Sequence, residues 1–523
     1  MTATVTSTED LDGVDPKTYQ RRWLILATMC LSLVLIVATV SSVNIAIPSL
    51  AGSQLRPSDT QVLWIVDAYA LVFAMLLLPA GALGDRFGRK GALLIGLVVF
   101  AAASAVCAYM TSANALIVCR AIMGIGAALI MPSTLSLLQS CFPRRERTKA
   151  IATWVGFAGA GGAIGPVIGG ALLGHFWYGS VFFVAAPIAL VAFIASAILA
   201  PASREPNAAR LDLGGAALSI VGFGGLLVAI IEGPERGWTD ALVLAGFAAA
   251  VVCLVGFVVF ERHVSDPLLD MKFFRNRRFA MGSMGISVTF FAMFAMFFTL
   301  TQYLQYVAGY SALGAGLRGL PFAVTMIIVS PRAPLLARWM GAKRAVAGGM
   351  AVMSIGVFLM SLVSRDTSYV YVAGCLVLMS AGTGAAMPSL SSGIVQSVPM
   401  NKAGVGAAVN DTTREVGGAI GIAIVGSILN SIFRSHVGAA LVGLPAAQQE
   451  FAKDNIAKAL GVSKGLAASG DLEAASEMKR AVQQAFLDGA HVALKVAAGV
   501  VIVAAAVMYV RLPDAGEHSA PSH

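Results

Sequence analysis

Asp411, Arg414 and Glu415 stand at i, i+3 and i+4 within an apolar stretch, a spacing that puts all three on one side of a helix. Desolvation and a neighbouring guanidinium act on a carboxylate in opposite senses, so an acid in this setting can load and release a proton. The same residues can instead form a static ion pair that ties their helix to its neighbours. Asp67 lies a third of the way into another apolar stretch, with Trp64 and Tyr69 close by, and Arg120 lies within a third. An ionisable side chain inside a membrane span costs at least ~2.5 kcal/mol, which makes each a candidate for function. Glu232 closes a further apolar stretch beside Gly233 and Pro234. The plainer readings are a solvated surface acid for Asp67 and Glu232 and a backbone-bonded structural Arg for Arg120.

The elements that must position these groups are helices in a bilayer. Over 523 residues the chain is 58% hydrophobic and 12% charged, with a mean hydropathy of +0.81. That is too apolar for a soluble protein of this length. Apolar runs of roughly 20 residues recur along the chain, each long enough as a helix to cross about 30 Å of hydrocarbon. In lipid a single segment satisfies its own backbone only as a helix. The expected spans are 23–47, 61–84, 91–110, 114–139, 150–174, 180–200, 211–232, 240–260, 279–304, 312–336, 343–364, 369–396, 403–431 and 489–511. The fold class is therefore an all-α polytopic membrane protein with about fourteen transmembrane helices.

Lys and Arg cluster in alternate loops: 17–22, 86–90, 144–149, Arg204 and Arg210, 262–278 and 338–344, while the others hold little more than Arg56, Arg236 and Arg365. The positive-inside rule then sets the N-terminus in the cytoplasm of a cell bounded by this membrane, and an even number of spans sets the C-terminus there too. So placed, the net charge of +9 serves orientation and not nucleic-acid binding. The six cysteines show no C-x-x-C spacing and read as packing residues. Residues 1–22 form a polar segment, and the apolar stretch after Arg21 and Arg22 is too long for a signal-peptide core, so it reads as a retained first helix. The long stretch 432–488 is expected outside, either as two amphipathic helices on the membrane surface (446–461 and 471–487) or as a solvated linker.

Gly124-Ile-Gly-Ala-Ala-Leu-Ile-Met-Pro-Ser and Gly382-Thr-Gly-Ala-Ala-Met-Pro-Ser are near copies in the fourth and twelfth segments. A duplication explains them if 23–200 and 279–511 are two six-helix bundles and 211–260 is a two-helix insertion, with 512–523 a cytoplasmic tail. Between the second and third segments lies Gly81-Ala-Leu-Gly84-Asp85-Arg86-Phe-Gly88-Arg89-Lys90. Its glycines permit a tight turn, and Asp85 can pair with a base and cap a helix end, making a charged latch; a loop that merely fixes topology is the alternative. The fifth segment holds Gly159, Gly161, Gly165, Pro166, Gly169 and Gly170, small residues at spacings of four that let another helix pack closely, with a proline that bends the helix.

The loop string resembles the cytoplasmic signature of the major facilitator superfamily, and the glycine string of the fifth segment resembles the motif of its antiporters. Trp64-Ile-Val-Asp67-Ala-Tyr69, Arg120-Ala-Ile-Met-Gly124, Ile231-Glu232-Gly-Pro-Glu-Arg-Gly-Trp238, Gln302-Tyr-Leu-Gln305-Tyr-Val-Ala-Gly-Tyr-Ser311 and Ala403-Gly-Val-Gly-Ala-Ala-Val-Asn410-Asp411-Thr-Thr-Arg414-Glu415-Val-Gly417-Gly418 extend the resemblance to its fourteen-helix drug:proton antiporter branch. The resemblance implies a major facilitator fold, alternating access, and export of hydrophobic or cationic small molecules driven by protons. It also implies that Arg120 takes part in proton transfer. The expected partners are a small-molecule substrate, protons and lipid, with no cofactor, no metal and a monomeric state.

Two departures bear on the cargo. The acid that such proteins carry nine residues before the proline of their first-helix motif is Thr39 here, before Asn44-Ile-Ala-Ile-Pro48, and the tenth segment, Pro321 to Pro331, has no acid. A dedicated exporter of an endogenous lipid or secondary metabolite is therefore the second reading. Phe290, Phe291, Met293, Phe294, Met296, Phe297 and Phe298 surround the ninth segment, so most must face lipid or neighbouring helices and a few can line a pocket. The sequence holds no P-loop, nucleophile elbow or metal-ligand cluster, which disfavours an ATP-driven pump or an enzyme. It likewise shows no soluble domain of the kind a sensor needs.

Overall fold

The computed structural model describes residues 11–51, 55, 57–202 and 211–513. Arg56, Arg204 and Arg210, the ends 1–10 and 514–523, and the side chains of Asn44, Pro48 and Pro234 lie outside the described residues. Fourteen helices are long and apolar enough to cross a membrane, and no strand occurs among the described residues. In chain order they are α1 (Pro16–Ala51), α2 (Asp59–Phe87), α3 (Arg89–Cys107), α4 (Ala113–Cys141), α5 (Arg144–Leu173), α6 (Ser180–Leu199), α7 (Leu213–Arg236) and α8 (Ala241–Glu261). Then come α9 (Arg277–Gln302), α10 (Ala312–Met340), α11 (Ala342–Met360), α12 (Tyr369–Gln396) and α13 (Ala403–Val437). Two short helices, α14 (Ala446–Lys453) and α15 (Ile456–Ala468), precede the last span, α16 (Leu472–Arg511).

Helices α1 to α6 pack mainly on one another, as do α9 to α13 with α16. The two groups meet where α13 crosses α2 and α4 and where α10 and α12 lie on α5. The pair α7 and α8 pack together, and α7 rests against α2 and α13. The loops joining α2 to α3, α4 to α5, α8 to α9 and α10 to α11 carry the clustered basic residues and share one side of the bundle, called here the basic face.

The internal repeat is visible in the packing, in a register two residues from the one that aligning the first glycines gives. Pro132 and Pro388 hold equivalent places in α4 and α12, which pairs Gly126 with Gly382. A Cβ on Gly126 would sit 2.8 Å from the Phe100 nitrogen and 2.9 Å from the Gly96 carbonyl. One on Gly349 would sit 2.8 Å from the Gly382 carbonyl, and Gly382 is hard against the backbones of Gly349 and Met353. Gly382→Val must therefore part α11 from α12, at about 1–3 kcal/mol or more. The expected result is a lower thermal midpoint for detergent-purified protein; an unchanged midpoint would mean that the crossing can widen freely.

The turns repeat as well. Gly88 (φ 106°) ends α2 and Gly341 (φ 87°) ends α10, a conformation that side chains other than glycine's rarely adopt. Three residues before each stands a different charge, Asp85 in the first turn and Arg338 in the second.

Stretch 432–488 is largely helical and not a plain linker: α14 and α15 cover the run 446–461, while 471–487 is not a separate helix. Residues 471–487 continue into the last span as one helix, α16, because no proline interrupts Leu472–Arg511 and Asp471 caps its start by accepting from the Ala474 amide at 3.0 Å. Gln483 anchors this extension by donating to the carbonyls of Tyr306 at 2.8 Å and Val307 at 3.3 Å. Those carbonyls belong to a π turn, Tyr303–Val307, that follows α9.

Candidate functional site

The N-terminal third of α13 holds a deeply buried polar cluster. Asp411 and Asn410 are fully buried and Arg414 nearly so. Arg414 Nη1 lies 3.8 Å from Asp411 Oδ1, which also accepts from Asn410 Nδ2 at 2.9 Å. The Arg414 guanidinium stacks over Trp154 of α5, 4.9 Å from the ring centroid, and 5.2 Å from Phe290 of α9. Trp154 in turn donates from Nε1 to Thr134 Oγ1 of α4 at 3.2 Å. Three helices from both groups, α13, α5 and α9, thus meet at one guanidinium, and α4 joins through Trp154. Asp411 Oδ2, Asn410 Oδ1 and Arg414 Nε and Nη2 are buried without a partner. Groups of that kind cost ~1–3 kcal/mol each, a cost expected where a cavity serves a ligand or a proton.

Glu415 joins this cluster only in part. It is half-buried, within electrostatic reach of Asp411 and Arg414 but outside ion-pairing distance among the described residues. The three residues that share a helix side by spacing therefore form one ion pair and one unpaired acid.

Nearer the opposite face, Arg120 is fully buried and donates to the α2 carbonyls of Ile65 at 2.8 Å and Val66 at 3.3 Å. That is the backbone-bonded arrangement, with one nitrogen, Nη1, left without a partner. Its guanidinium lies 4.6 Å from the Tyr69 ring. Tyr69 is buried, its hydroxyl has no partner, and it feels the charges of both Arg120 and Glu415. Asp67 is half-buried within reach of Arg120 and Glu232. Glu232 is held by Arg236 at 2.5 Å, the static pair that i and i+4 permit. Direct contacts join Glu232 to Arg236, Arg120 to Tyr69 and Arg414 to Asp411, with Asp67 beside the first two of these groups and Glu415 beside the last.

The latch residues lie apart, on the basic face. Asp85 Oδ1 accepts from Arg89 Nε at 3.0 Å and from the Gly404 amide at 2.8 Å, and Oδ2 accepts from the Val405 amide at 3.1 Å. Arg89 also donates to the Met400 carbonyl. An anion from α2 thereby caps the positive end of α13, across the two helix groups. Gly81 makes the approach possible, since a Cβ there would sit 2.7 Å from the Ala408 Cβ. Arg86 lies half-buried with its guanidinium 5.7 Å from the Phe87 ring.

The glycine string of α5 serves two neighbours. Gly161, Gly165 and Gly169 receive α1 at Val37, Ala38 and Ser42, while Gly170 and Pro166 receive α10 at Leu313 and Gly316.

Trp154 and Tyr69 are the side chains whose place in the site spacing did not show. Trp favours the membrane–water interface, so one about 15 Å into a helix that starts at Arg144 was the available signal for the first. Phe290 alone of the ninth segment's aromatics meets the cluster. Among the described residues no group of three or more metal-ligating side chains occurs.

The chain resembles the multidrug efflux pump LfrA of Mycolicibacterium smegmatis at 34% identity over 94% of this chain and 96% of that protein. The tetracenomycin C resistance and export protein of Streptomyces glaucescens is 30% identical over 93% and 91%. The methyl viologen resistance protein SmvA of Salmonella typhimurium is 30% identical over 95% and 99%. Among solved structures, that of the human organic anion transporter MFSD10 has a TM-score of 0.59 at 14% identity, covering 94% of this chain and 99% of that one. The proton:xylose symporter XylE has a TM-score of 0.58 at 13% identity over 95% and 96%. At those identities the two structures speak for the fold alone. With the Major Facilitator Superfamily profile matching residues 29–422, the chain belongs to that superfamily.

Proposed function

We propose that the protein is a proton-coupled exporter that moves hydrophobic or cationic small molecules out of the cytoplasm by alternating access, as a monomer without a cofactor. The basic face is the cytoplasmic one and the membrane is the cytoplasmic membrane. The observation that carries this reading is the fully buried Asp411 of α13 beside Arg414, whose guanidinium meets Trp154 of α5 and Phe290 of α9 across the two helix groups. Relatives named for multidrug efflux, antibiotic resistance and export give the direction and the kind of cargo. A proton entering from outside reaches Asp67 first, and the Asp411–Arg414 pair is where its arrival alters the packing of α13 against α5.

Purified protein in liposomes with an imposed pH gradient tests this. Uphill movement of a cationic dye that collapses with a protonophore is expected; movement that survives it, or that needs ATP, would sink the proton-coupled reading.

Because α1 has no acid and Thr39 turns its hydroxyl to the Leu35 carbonyl at 2.7 Å, cation recognition in the first helix group falls to Asp67. Asp67→Asn should weaken efflux of monovalent cations about tenfold, the loss of ~1.4 kcal/mol, and spare neutral compounds. Equal loss for both would place cation binding elsewhere. The missing acids also support the second reading, a dedicated exporter of an endogenous lipid or secondary metabolite, which equal transport of neutral cargo and no cationic cargo would favour.

A further inference from the structure

The helices α7 and α8 meet at the basic face in a pair of acids that the transport reading does not use. Asp212 precedes α7 and caps it, its Oδ1 accepting from the Gly215 amide at 2.8 Å. Glu261 ends α8, is only 3% exposed, and its Oε2 accepts from the Leu269 amide at 3.2 Å. The remaining oxygens, Asp212 Oδ2 and Glu261 Oε1, are buried without a donor. Both crowd the space beside Gly215, where any Cβ would strike them, and the two carboxyls are within hydrogen-bonding reach of each other.

Other charges face the pair from neighbouring elements. Lys402, just before α13, acts on Glu261, but its Nζ is committed to the Pro267 carbonyl at 2.8 Å. Asp85 and Arg86 of α2 line the same cleft as Asp212 and Lys402, and Asp85 is held by Arg89. Among the described residues no hydrogen-bond donor reaches the two orphaned oxygens. Two carboxylates whose facing oxygens are buried together without a donor repel each other when both are charged.

We propose that Asp212 and Glu261 form a proton-binding site in which one proton is held between Glu261 Oε1 and Asp212 Oδ2, joining the start of α7 to the end of α8. The proton turns two repelling acceptors into a donor and an acceptor. Its effect reaches the latch through the Pro267 carbonyl and Lys402, two residues before the Gly404 amide that Asp85 binds. In the orientation proposed above the site is loaded from the cytoplasm, separately from the transported proton. The test below uses no transport, so its failure leaves the exporter reading untouched.

Thermal unfolding of the full-length detergent-purified protein is followed as pH is raised from acid to alkaline. The wild-type midpoint should fall, because ionising the second acid sets two like charges in contact. In Glu261→Gln the side-chain amide donates to Asp212 Oδ2, and in Asp212→Asn the amide donates to Glu261 while the cap is kept. Both variants should lose that part of the fall, and both should lose a protonated-carboxyl band from the infrared spectrum at neutral pH. An alkaline fall equal in wild type and both variants, or a band unchanged in either variant, would overturn the proposal. If neither variant folds, the wild type decides alone: absence of any protonated-carboxyl band at neutral pH overturns the site, and a band whose loss on alkalinisation accompanies the fall in midpoint supports it.

Discussion

Liposomes carrying the Asp411→Asn/Glu415→Gln double variant are expected to leave a neutral substrate at equal concentrations on both sides of the membrane under a pH gradient that drives wild-type accumulation. A gradient of one pH unit is worth about 1.4 kcal/mol per exchanged proton, tenfold in concentration, and reaches the substrate only if a group titrates within the cycle. Asp411 is fully buried with one oxygen unpaired, and Glu415 is its half-buried, unpaired neighbour. Asparagine and glutamine keep the volumes and remove the titration. Each single variant should retain part of the coupling if the proton passes between the two acids. Undiminished accumulation in the double variant, with protein inserted at wild-type levels, would return Asp411 and Arg414 to a static pair.

Asp85→Asn should release the basic face without unfolding the protein. The substitution leaves one acceptor oxygen where the carboxylate has two, strips the charge that caps α13, and leaves Arg89, only 5% exposed, without its counter-ion. Breaking a buried pair in this way costs ~3–5 kcal/mol. That cost falls on the state in which α2 and α13 touch, so the ratio of closed to open forms should drop by more than about a hundredfold. Hydrogen exchange at the Gly404 and Val405 amides should quicken by a similar factor, and efflux should slow by about tenfold or more as the cycle stalls on the open side. Exchange at wild-type rates would show that the glycine contact between Gly81 and Gly404 holds the face by itself.

The membrane spans were legible because lipid leaves one backbone solution, so apolar length alone marks a helix. Where other constraints act, the sequence said less. The tenth segment, read as one helix over 312–336, is broken at Gly319 and at Ser330–Arg332, where Pro321 and Pro331 each remove a backbone donor. The register of the repeat depended on which residues make the closest approach, and Pro132 and Pro388 fixed it where the glycines misled. Of the site, the acids and arginines announce themselves by their cost in lipid. Trp154 and Tyr69 do not, because an aromatic side chain in an apolar run looks like packing until a guanidinium is found beside it. Helical spacing put Asp411, Arg414 and Glu415 on one side, and among the described residues the structure pairs Arg414 with Asp411 and leaves Glu415 outside ion-pairing distance, since i and i+1 point apart.

The two turns at Gly88 and Gly341 share a backbone but not a charge, and that difference decides how the basic face comes apart. The edge formed by α2 and α13 is bolted by Asp85, Arg89 and two amides. The edge formed by α5 and α10 packs closely but, among the described residues, its side-chain hydrogen bond near this face is that of the Ser330 hydroxyl to the Ala152 carbonyl at 2.7 Å, and Arg338 stands where Asp85 stands in the other turn. If the exporter reading holds, a face bound this unevenly is expected to open like a door, the α5–α10 edge swinging first and the charged edge serving as its hinge.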